Sequence, residues 1–342
     1  MKTFRQDIWK KEEYTYAAAY GFMPNIRAYL HDDEEVRKCM LVVPGGGYCM
    51  VVPPEAEIVA KTFYEKGMNA FVLTYTSDIT MSVPLKKQPL MDISRAVRLI
   101  RKNSKEYKID PNSVIIAGFS AGGHVCGTLC VHYDDVEDTP EYNAFSNRPD
   151  GAILGYPVIT TGEFTHIYSV MALVGNDASQ EEKDYYSVEK NVTENTPPCF
   201  IWQTEKDGLV PVENSYLMAQ ALRSKGVSFT HHVFPRGDHG LSVASADFFR
   251  GNFGENYTME QLGYAVENVK NGTAVNLSER RREELFEQFK LNEKKPEKNE
   301  NEEKKENPPM MPWGNPFEEG WKNPFADVAM WPDMAYEWIM NM

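Results

Sequence analysis

The sequence predicts an α/β fold in which helices cover both faces of a mainly parallel central sheet. Two observations lead to this prediction. From about residue 38 onward, short apolar runs alternate with amphipathic segments of helical length. Several of the runs are nearly continuous in apolar residues, as in parallel strands that are buried on both faces. In such a sheet, functional residues are expected in the loops at the carboxyl ends of the strands.

Apolar runs predict six strands, at residues 38–43, 70–75, 114–117, 152–156, 199–203 and 227–234. One-sided apolar spacing and Pro or Gly boundaries predict four helices between them, at residues 54–66, 89–105, 121–131 and 211–225. A further amphipathic helix is predicted at residues 331–340.

Composition limits the possible classes of function. The chain has 342 residues, and 42% of them are hydrophobic, which suffices for a large core in a single domain spanning residues 1–342. With 50 acidic and 36 basic side chains, the formal net charge is −14. This charge argues against nucleic-acid partners and against anionic membrane surfaces. No apolar stretch reaches the ~18 residues of a membrane span.

The start of the chain and the cysteines together predict a cytoplasmic location. The first residues contain no apolar segment of the kind that a secretory signal needs. The five cysteines are scattered and form no CxxC pair. They predict reduced thiols rather than a disulfide framework or a zinc site.

The second half of the chain departs from the alternating pattern in four regions. Residues 162–196 are polar and are expected to form a lid over a site. Residues 250–289 resemble a partly helical insertion, and residues 290–309 a charged, disordered linker. Residues 310–342 comprise an aromatic segment and the closing helix. In that segment the pattern Trp-x-Asn-Pro-Phe occurs twice, and it either docks the returning chain, covers the site or binds a partner.

The strongest catalytic pattern is Gly118-Phe-Ser120-Ala-Gly122. An apolar strand enters it and a helix leaves it, which is the context of a nucleophile elbow. Glycines are needed because side chains two residues before and after the serine would collide in the tight turn. The turn exposes the Ser120 hydroxyl and places the next backbone N–H, that of Ala121, at the positive end of the helix.

A serine nucleophile needs a base and an acid that orients the base, and both occur in the expected chain order. Asp207 and His239 each follow a predicted strand. His239 would accept the serine proton, and Asp207 would hold the tautomer of the imidazole. Asp238 adjoins the histidine and cannot easily turn back onto its ring, whereas Glu205 stays open as a second choice.

The other histidines fit the chemistry less well. His124 lies one turn into the helix after the nucleophile and is expected to be a hydrogen-bonded residue of the core. His231 and His232 are neighbours on a strand and face opposite sides, so they cannot share a metal ion, and no metal site is predicted. His166 in the polar stretch and Tyr48 are the candidate substrate contacts.

A glycine-rich loop, Pro44-Gly-Gly-Gly-Tyr48, follows the first predicted strand. Its glycines allow backbone N–H groups to approach a developing oxyanion. Lipases and esterases use His-Gly-Gly-Gly at this place, and Pro44 here keeps the N–H donors but removes the side chain that would brace the loop. Neither a Rossmann glycine pattern nor a Walker lysine is present, which disfavours a phosphate-binding role.

These loops resemble those of α/β-hydrolase serine esterases, in particular bacterial acetyl esterases associated with xylan degradation, of the acetylxylan-esterase and feruloyl-esterase type. The resemblance is carried by LVVPGGGY, GFSAGGH, RPDGAILGYPVIT, TPPCFIWQTEKDGLVPVENS and HHVFPRGDHGL, and by WPDMAYEWI near the end. It implies an α/β-hydrolase fold, a triad and an oxyanion hole, with these residues: Ser120, Asp207 and His239 for the triad, and Gly46, Gly47 and Ala121 for the hole.

The predicted function is hydrolysis of carboxylic esters through an acyl-enzyme, with short acyl groups such as acetyl on sugars or xylo-oligosaccharides. No cofactor, nucleic acid or membrane partner is expected, and a homo-oligomer stays open. Two alternatives also stay open. One is a serine peptidase of the same fold, although such peptidases usually carry a large extra domain. The other is a binding protein with an inactive hydrolase site, although such proteins typically lack a triad residue.

Overall fold

The central sheet of the computed structural model has eight strands, and the structure describes residues 1–292 and 314–342. In chain order the strands are β1 (Lys2–Asp7), β2 (Asn25–Leu30), β3 (Arg37–Val43), β4 (Asn69–Thr74), β5 (Ile109–Phe119), β6 (Gly151–Gly155), β7 (Cys199–Thr204) and β8 (Phe229–Phe234). Their order across the sheet is β1-β2-β4-β3-β5-β6-β7-β8. The β1–β2 and β2–β4 pairs are antiparallel, and the other pairs are parallel.

The α-helices follow in chain order as α1 (Glu57–Glu65), α2 (Gln88–Lys102), α3 (Ala121–His132), α4 (Pro140–Asn143), α5 (Ile167–Val174), α6 (Gln180–Tyr186), α7 (Glu213–Ser224), α8 (Ala246–Phe249), α9 (Glu260–Asn271), α10 (Glu279–Gln288) and α11 (Trp331–Met340). Among the described residues, none of these helices combines the length and the apolar character that crossing a bilayer requires.

Two apolar layers sandwich the sheet, because alternate residues of each strand point to opposite faces. On β3, Leu41 enters one layer with residues of α2, α3 and α7, whereas Met40 enters the other with residues of α1 and α11. The predicted α/β fold with helices on both faces is therefore confirmed.

The predicted strands and helices are found, with boundaries that differ by a few residues. The strand expected at residues 114–117 is longer than predicted. It extends over Ile109–Phe119 and is the longest strand of the sheet. The helix expected at residues 54–66 begins as a 3₁₀ turn at Pro53–Glu55 and continues as α1. The antiparallel strands β1 and β2 were not predicted, since β1 lies at the sheet edge and has a mostly polar, exposed sequence.

The irregular regions contain further helices. Residues 162–196 hold α5 and α6, and residues 250–289 hold α9 and α10. The predicted linker at residues 290–309 lies outside the described residues from residue 293 onward. Of the aromatic repeat, Trp321 and Phe325 pack against Phe249 at ring-centroid distances of 5.6 and 5.9 Å.

Candidate active site

Ser120 occupies a strained turn between β5 and α3. Its backbone angles are φ 52° and ψ −122°, in the region that disfavours side chains with a β-carbon. A β-carbon on Gly118 would lie 2.2 Å from the Gly122 carbonyl oxygen, and one on Gly122 would lie 2.1 Å from the Val43 carbonyl oxygen. Both glycines are therefore required by the close approach of backbone, as the sequence pattern predicts.

Ser120, His239 and Asp207 form a continuous hydrogen-bonded chain. Ser120 Oγ lies 2.8 Å from His239 Nε2, and His239 Nδ1 lies 2.8 Å from Asp207 Oδ2. The carboxylate is buried, and its other oxygen accepts the backbone N–H groups of Leu209 and Val210 at 3.0 and 2.9 Å. Because a carboxylate only accepts, His239 carries its proton on Nδ1 and offers a lone pair on Nε2 to the serine hydroxyl.

The two competing acids have other partners. Asp238 accepts the backbone N–H of Gly208 at 2.9 Å and that of His239 at 2.8 Å, and these bonds lower the pKa of its carboxyl. Asp238 thus links the loop after β7 to the loop after β8, and it does not bind the imidazole of His239. Glu205 pairs with Lys206 at 2.8 Å on the surface and does not contact the histidine.

The glycine-rich loop lies against the nucleophile. A β-carbon on Gly45 would lie 2.8 Å from the Ser120 β-carbon. Gly46 and Gly47 have φ values of 127° and 63°, which turn the backbone sharply. Within the described residues, the N–H groups of Gly46, Gly47 and Ala121 donate no hydrogen bond to the protein. These free donors stand next to Ser120, where an oxyanion would form.

A buried acid that the sequence analysis missed supports this loop. Glu55 is 4% exposed, and its Oε2 accepts the backbone N–H of Gly45 at 2.6 Å. Its Oε1 accepts the hydroxyl of Tyr156 at 2.7 Å. Burial raises the pKa of Glu55, although these hydrogen bonds counteract the rise. Local sequence gave no signal, because an acid in the first turn of a helix is common and Tyr156 is 101 residues away.

Tyr156 extends the support to the histidine loop. Its hydroxyl accepts the backbone N–H of Ser242 at 3.1 Å, and its ring lies 4.9 Å from the ring of His239. The Ser242 carbonyl accepts the indole N–H of Trp331 at 2.8 Å. Helix α11 therefore also contacts the histidine loop.

His124 is a core residue, as predicted, and it explains the position of Tyr48. Its Nε2 donates to the Tyr186 carbonyl at 2.7 Å, so its Nδ1 accepts from the Tyr48 hydroxyl at 2.7 Å. Burial lowers the pKa of His124 to about 4. The prediction that the Tyr48 side chain contacts substrate is wrong, because that side chain is 2% exposed and its hydroxyl is used inside the core.

His166 lies near the glycine-rich loop, just before α5. A β-carbon on Gly47 would lie 3.9 Å from both His166 Cε1 and Ser169 Oγ, and these two side chains are bonded to each other at 2.8 Å. Partial burial, together with the nearby His239, lowers the pKa of His166. The residue thus borders the region in front of the free N–H groups.

The other histidines have structural contacts. His231 bonds to Ser215 at 3.1 Å, and His232 packs on Phe200 with ring centroids 5.2 Å apart. Across residues 1–292 and 314–342, no group of three His, Cys, Asp or Glu side chains is arranged to hold a metal ion.

Comparison with known proteins identifies relatives of this chain. Endo-1,4-beta-xylanase B of Butyrivibrio fibrisolvens is 62% identical over 262 residues, which cover 76% of this chain and 41% of that protein. Acetylxylan esterase of Xylanibacter ruminicola is 31% identical over 217 residues, which cover 61% of this chain and 42% of that protein. The chain thus spans about two fifths of the length of these curated relatives.

A solved structure matches over almost its full length. The acetyl ester-xyloside bifunctional hydrolase from Caldicellulosiruptor lactoaceticus is 35% identical, with a TM-score of 0.67, and the match covers 76% of this chain and 97% of that one. The family model BD-FAE matches residues 28–222, which is more than half of the chain. The predicted relationship to xylan-associated esterases is confirmed, and the chain belongs to the BD-FAE family, with an α/β-hydrolase fold.

Proposed function

We propose that this chain is a serine carboxylic-ester hydrolase that acts through an acyl-enzyme on short-acyl esters. The observation that carries the proposal is the pair of 2.8 Å hydrogen bonds that link Ser120 to His239 and His239 to Asp207. This geometry suits a nucleophile, a general base and an acid that orients the base.

In the acylation step, Ser120 Oγ attacks the ester carbonyl carbon while His239 Nε2 takes the hydroxyl proton. The carbonyl oxygen becomes an oxyanion, which the N–H groups of Gly46, Gly47 and Ala121 stabilise. The tetrahedral intermediate collapses when the C–O bond to the alcohol breaks. His239 then donates its proton to the leaving alkoxide, which departs as the alcohol.

In the deacylation step, a water molecule loses a proton to His239 Nε2 and attacks the acyl carbon. A second oxyanion forms at the same N–H groups, and it collapses with cleavage of the bond to Ser120 Oγ. The proton on His239 returns to the serine oxygen, and the acid is released. One ester and one water thus give one acid and one alcohol, with the enzyme restored.

Glu55 is a positioning residue in this proposal. It touches neither the ester nor the triad, but it holds Gly45 of the glycine-rich loop, and through Tyr156 it holds the loop that carries His239. Pro44 replaces the histidine that would brace the glycine-rich loop in the His-Gly-Gly-Gly pattern. Glu55 supplies that support instead.

The proposed substrates are acetyl esters of sugars or xylo-oligosaccharides. Support comes from the relatives, one called an acetylxylan esterase and one an acetyl ester-xyloside bifunctional hydrolase. We also propose that the chain forms a single domain, with residues 162–196 as a lid over the site. We further propose a cytoplasmic location, which the five free cysteines support because thiols stay reduced in that compartment.

The test is hydrolysis of p-nitrophenyl esters from acetyl to decanoyl by the wild type and by Ser120→Ala. We expect turnover that falls steeply beyond short chains and is lost in the variant. Turnover of aminoacyl amides but not of esters would replace this proposal with a peptidase. Absence of any turnover, with binding retained, would indicate an inactive hydrolase site.

A further inference from the structure

A cleft of about 670 Å³ lies between α5 and the inserted helices, outside the triad. It is lined by Tyr168 and Met171 of α5, by Asn276 just before α10, and by Arg281 in the first turn of α10. Ser82, in the loop after β4, also lines the cleft. This volume is within the ~300–1,000 Å³ of small-molecule sites.

The cleft adjoins the proposed oxyanion hole through α5. His166 and Ser169 approach Gly47, whereas Tyr168 and Met171, which are three residues apart, line the cleft. Cys49 and Met50, which follow the glycine-rich loop, pack against a cluster that includes Ala265 and Val269 of α9 and Leu285 of α10. Residues next to the cleft lining therefore contact the loop that would hold an ester carbonyl.

The lining suits a ligand that is rich in hydroxyl groups. The walls carry hydroxyl, amide and guanidinium groups, which can donate and accept many hydrogen bonds. Arg280 and Arg281 both pair with Glu284, at 3.1 and 3.0 Å, so one of their two positive charges is offset within the cleft. A long acyl chain would require a mostly apolar lining instead.

Tyr168 provides a flat apolar surface at the edge of this polar cleft. Tyr168 is 61% exposed, and its ring is tilted against the ring of His166 with the centroids 6.1 Å apart. The C–H face of a pyranose ring can cover such a ring while its hydroxyls reach the polar groups around it.

We propose that this cleft binds the saccharide part of the ester, and that residues 250–289 therefore build a substrate-binding wall. The inference rests on the proposed esterase function and adds the place where the leaving alcohol is held. A chain of linked sugars would run from the ester at Ser120, past His166, onto Tyr168.

The first test measures binding without catalysis. Xylotetraose is titrated into Ser120→Ala protein by calorimetry, with and without Tyr168→Ala. We expect binding whose Kd rises about tenfold when the ring is removed. Tyr264→Ala is the matched control, because Tyr264 is 40% exposed on α9 but does not line the cleft. No binding by the Ser120→Ala protein, or the same Kd with and without Tyr168, would overturn the inference.

The second test separates the inference from the proposed function. For each variant, kcat/KM on an acetylated xylotetraose is divided by kcat/KM on p-nitrophenyl acetate. We expect this ratio to fall about tenfold in Tyr168→Ala and also to fall in Asn176→Ala, which removes an amide of the lining, but not in Tyr264→Ala. An unchanged ratio contradicts the saccharide cleft alone, whereas wild-type protein that hydrolyses neither ester contradicts the esterase function.

Discussion

The carboxylate of Glu55 accepts the backbone N–H of Gly45 at 2.6 Å, beneath the loop that carries the free N–H groups. Its second oxygen accepts the Tyr156 hydroxyl, which in turn accepts the N–H of Ser242. One buried acid therefore fixes two loops that approach Ser120 from opposite sides. Within residues 1–292 and 314–342, no hydrogen bond joins the two loops directly. Glu55 links them, together with the bond from Ser242 Oγ to the neighbouring Pro54 carbonyl at 2.6 Å.

Glu55→Gln is expected to lower kcat for p-nitrophenyl acetate about tenfold to a hundredfold, with a smaller change in KM. The glutamine keeps the size of the side chain, but its NH2 group cannot accept, so its single amide oxygen can keep only one of the bonds from Gly45 and Tyr156. The glycine-rich loop then shifts, and a shift of ~1 Å is enough for a loss of this size. Steady-state kinetics measure the two constants separately.

Glu57→Gln is the matched control for that experiment. Glu57 is also a buried glutamate, but it pairs with Lys61 and accepts the backbone N–H of Glu255 at 3.0 Å, away from the triad. Its substitution should lower the melting temperature without lowering kcat. Equal losses of kcat in the two variants would mean that Glu55 contributes only to stability.

Asp207→Asn is expected to reduce kcat by about four orders of magnitude, because the amide no longer fixes the proton on His239 Nδ1. Asp238→Asn should have a far smaller effect, since its amide oxygen can still accept the N–H groups of Gly208 and His239. Measurement of kcat for both variants distinguishes the two acids. A larger loss in Asp238→Asn would contradict the proposed roles.

Gly122→Ala should destabilise the protein by about 3 kcal/mol or more and abolish turnover, because the new β-carbon would collide with two backbone carbonyls. Gly263→Ala, in α9, should raise the free energy of unfolding by about 0.5–1 kcal/mol. A β-carbon on Gly263 meets no heavy atom within 4 Å. Urea unfolding measures both changes, and a stable, active Gly122→Ala variant would refute the elbow geometry.

His124 should make the protein sensitive to mild acid. Its pKa is about 4 in the folded state against 6.5 ordinarily, so the unfolded chain binds the proton first as the pH falls. The stability that the neutral ring contributes is present above pH 6.5 and is lost between pH 6.5 and 4. From pH 7 to pH 5.5, the wild type should lose about 1 kcal/mol more than His124→Gln.

That comparison is made by urea unfolding of both proteins in the same buffers. The effect of nearby His132 on the His124 charge is part of this difference, because it is lost when the His124 ring is replaced. Parallel stability curves for the two proteins would show that His124 does not remain neutral in the folded state.

The triad loops could be predicted because each signal is local. Ser120 lies between a strand pattern and a helix pattern, and Asp207 and His239 each follow a strand. The loops that carry these three residues meet at the carboxyl edge of the sheet. The order of the three residues along the chain was therefore sufficient to group them as a triad. Glu55 could not be found in this way, because its function depends on Tyr156, which is distant in sequence.

The inserted helices show another limit of sequence analysis. Helix α10 has the sequence ERRREELFEQ, in which Leu285 is the buried residue. The pattern therefore predicts a helix, but it does not predict where on the protein the helix packs. Its position is set instead by contacts with other segments, such as the bond from Arg281 to the Ile79 carbonyl at 2.8 Å. The cleft beside α5 follows from that docking and has no signature in the sequence.

The bond from Trp331 to Ser242 has a consequence for the order of events during synthesis. Ser242 lies three residues after His239, but its indole partner is made almost ninety residues later. Because synthesis runs from the amino terminus, a nascent chain will carry Ser120, Asp207 and His239 while its histidine loop still lacks this anchor. Full activity is expected to begin only after Trp331 has emerged from the ribosome.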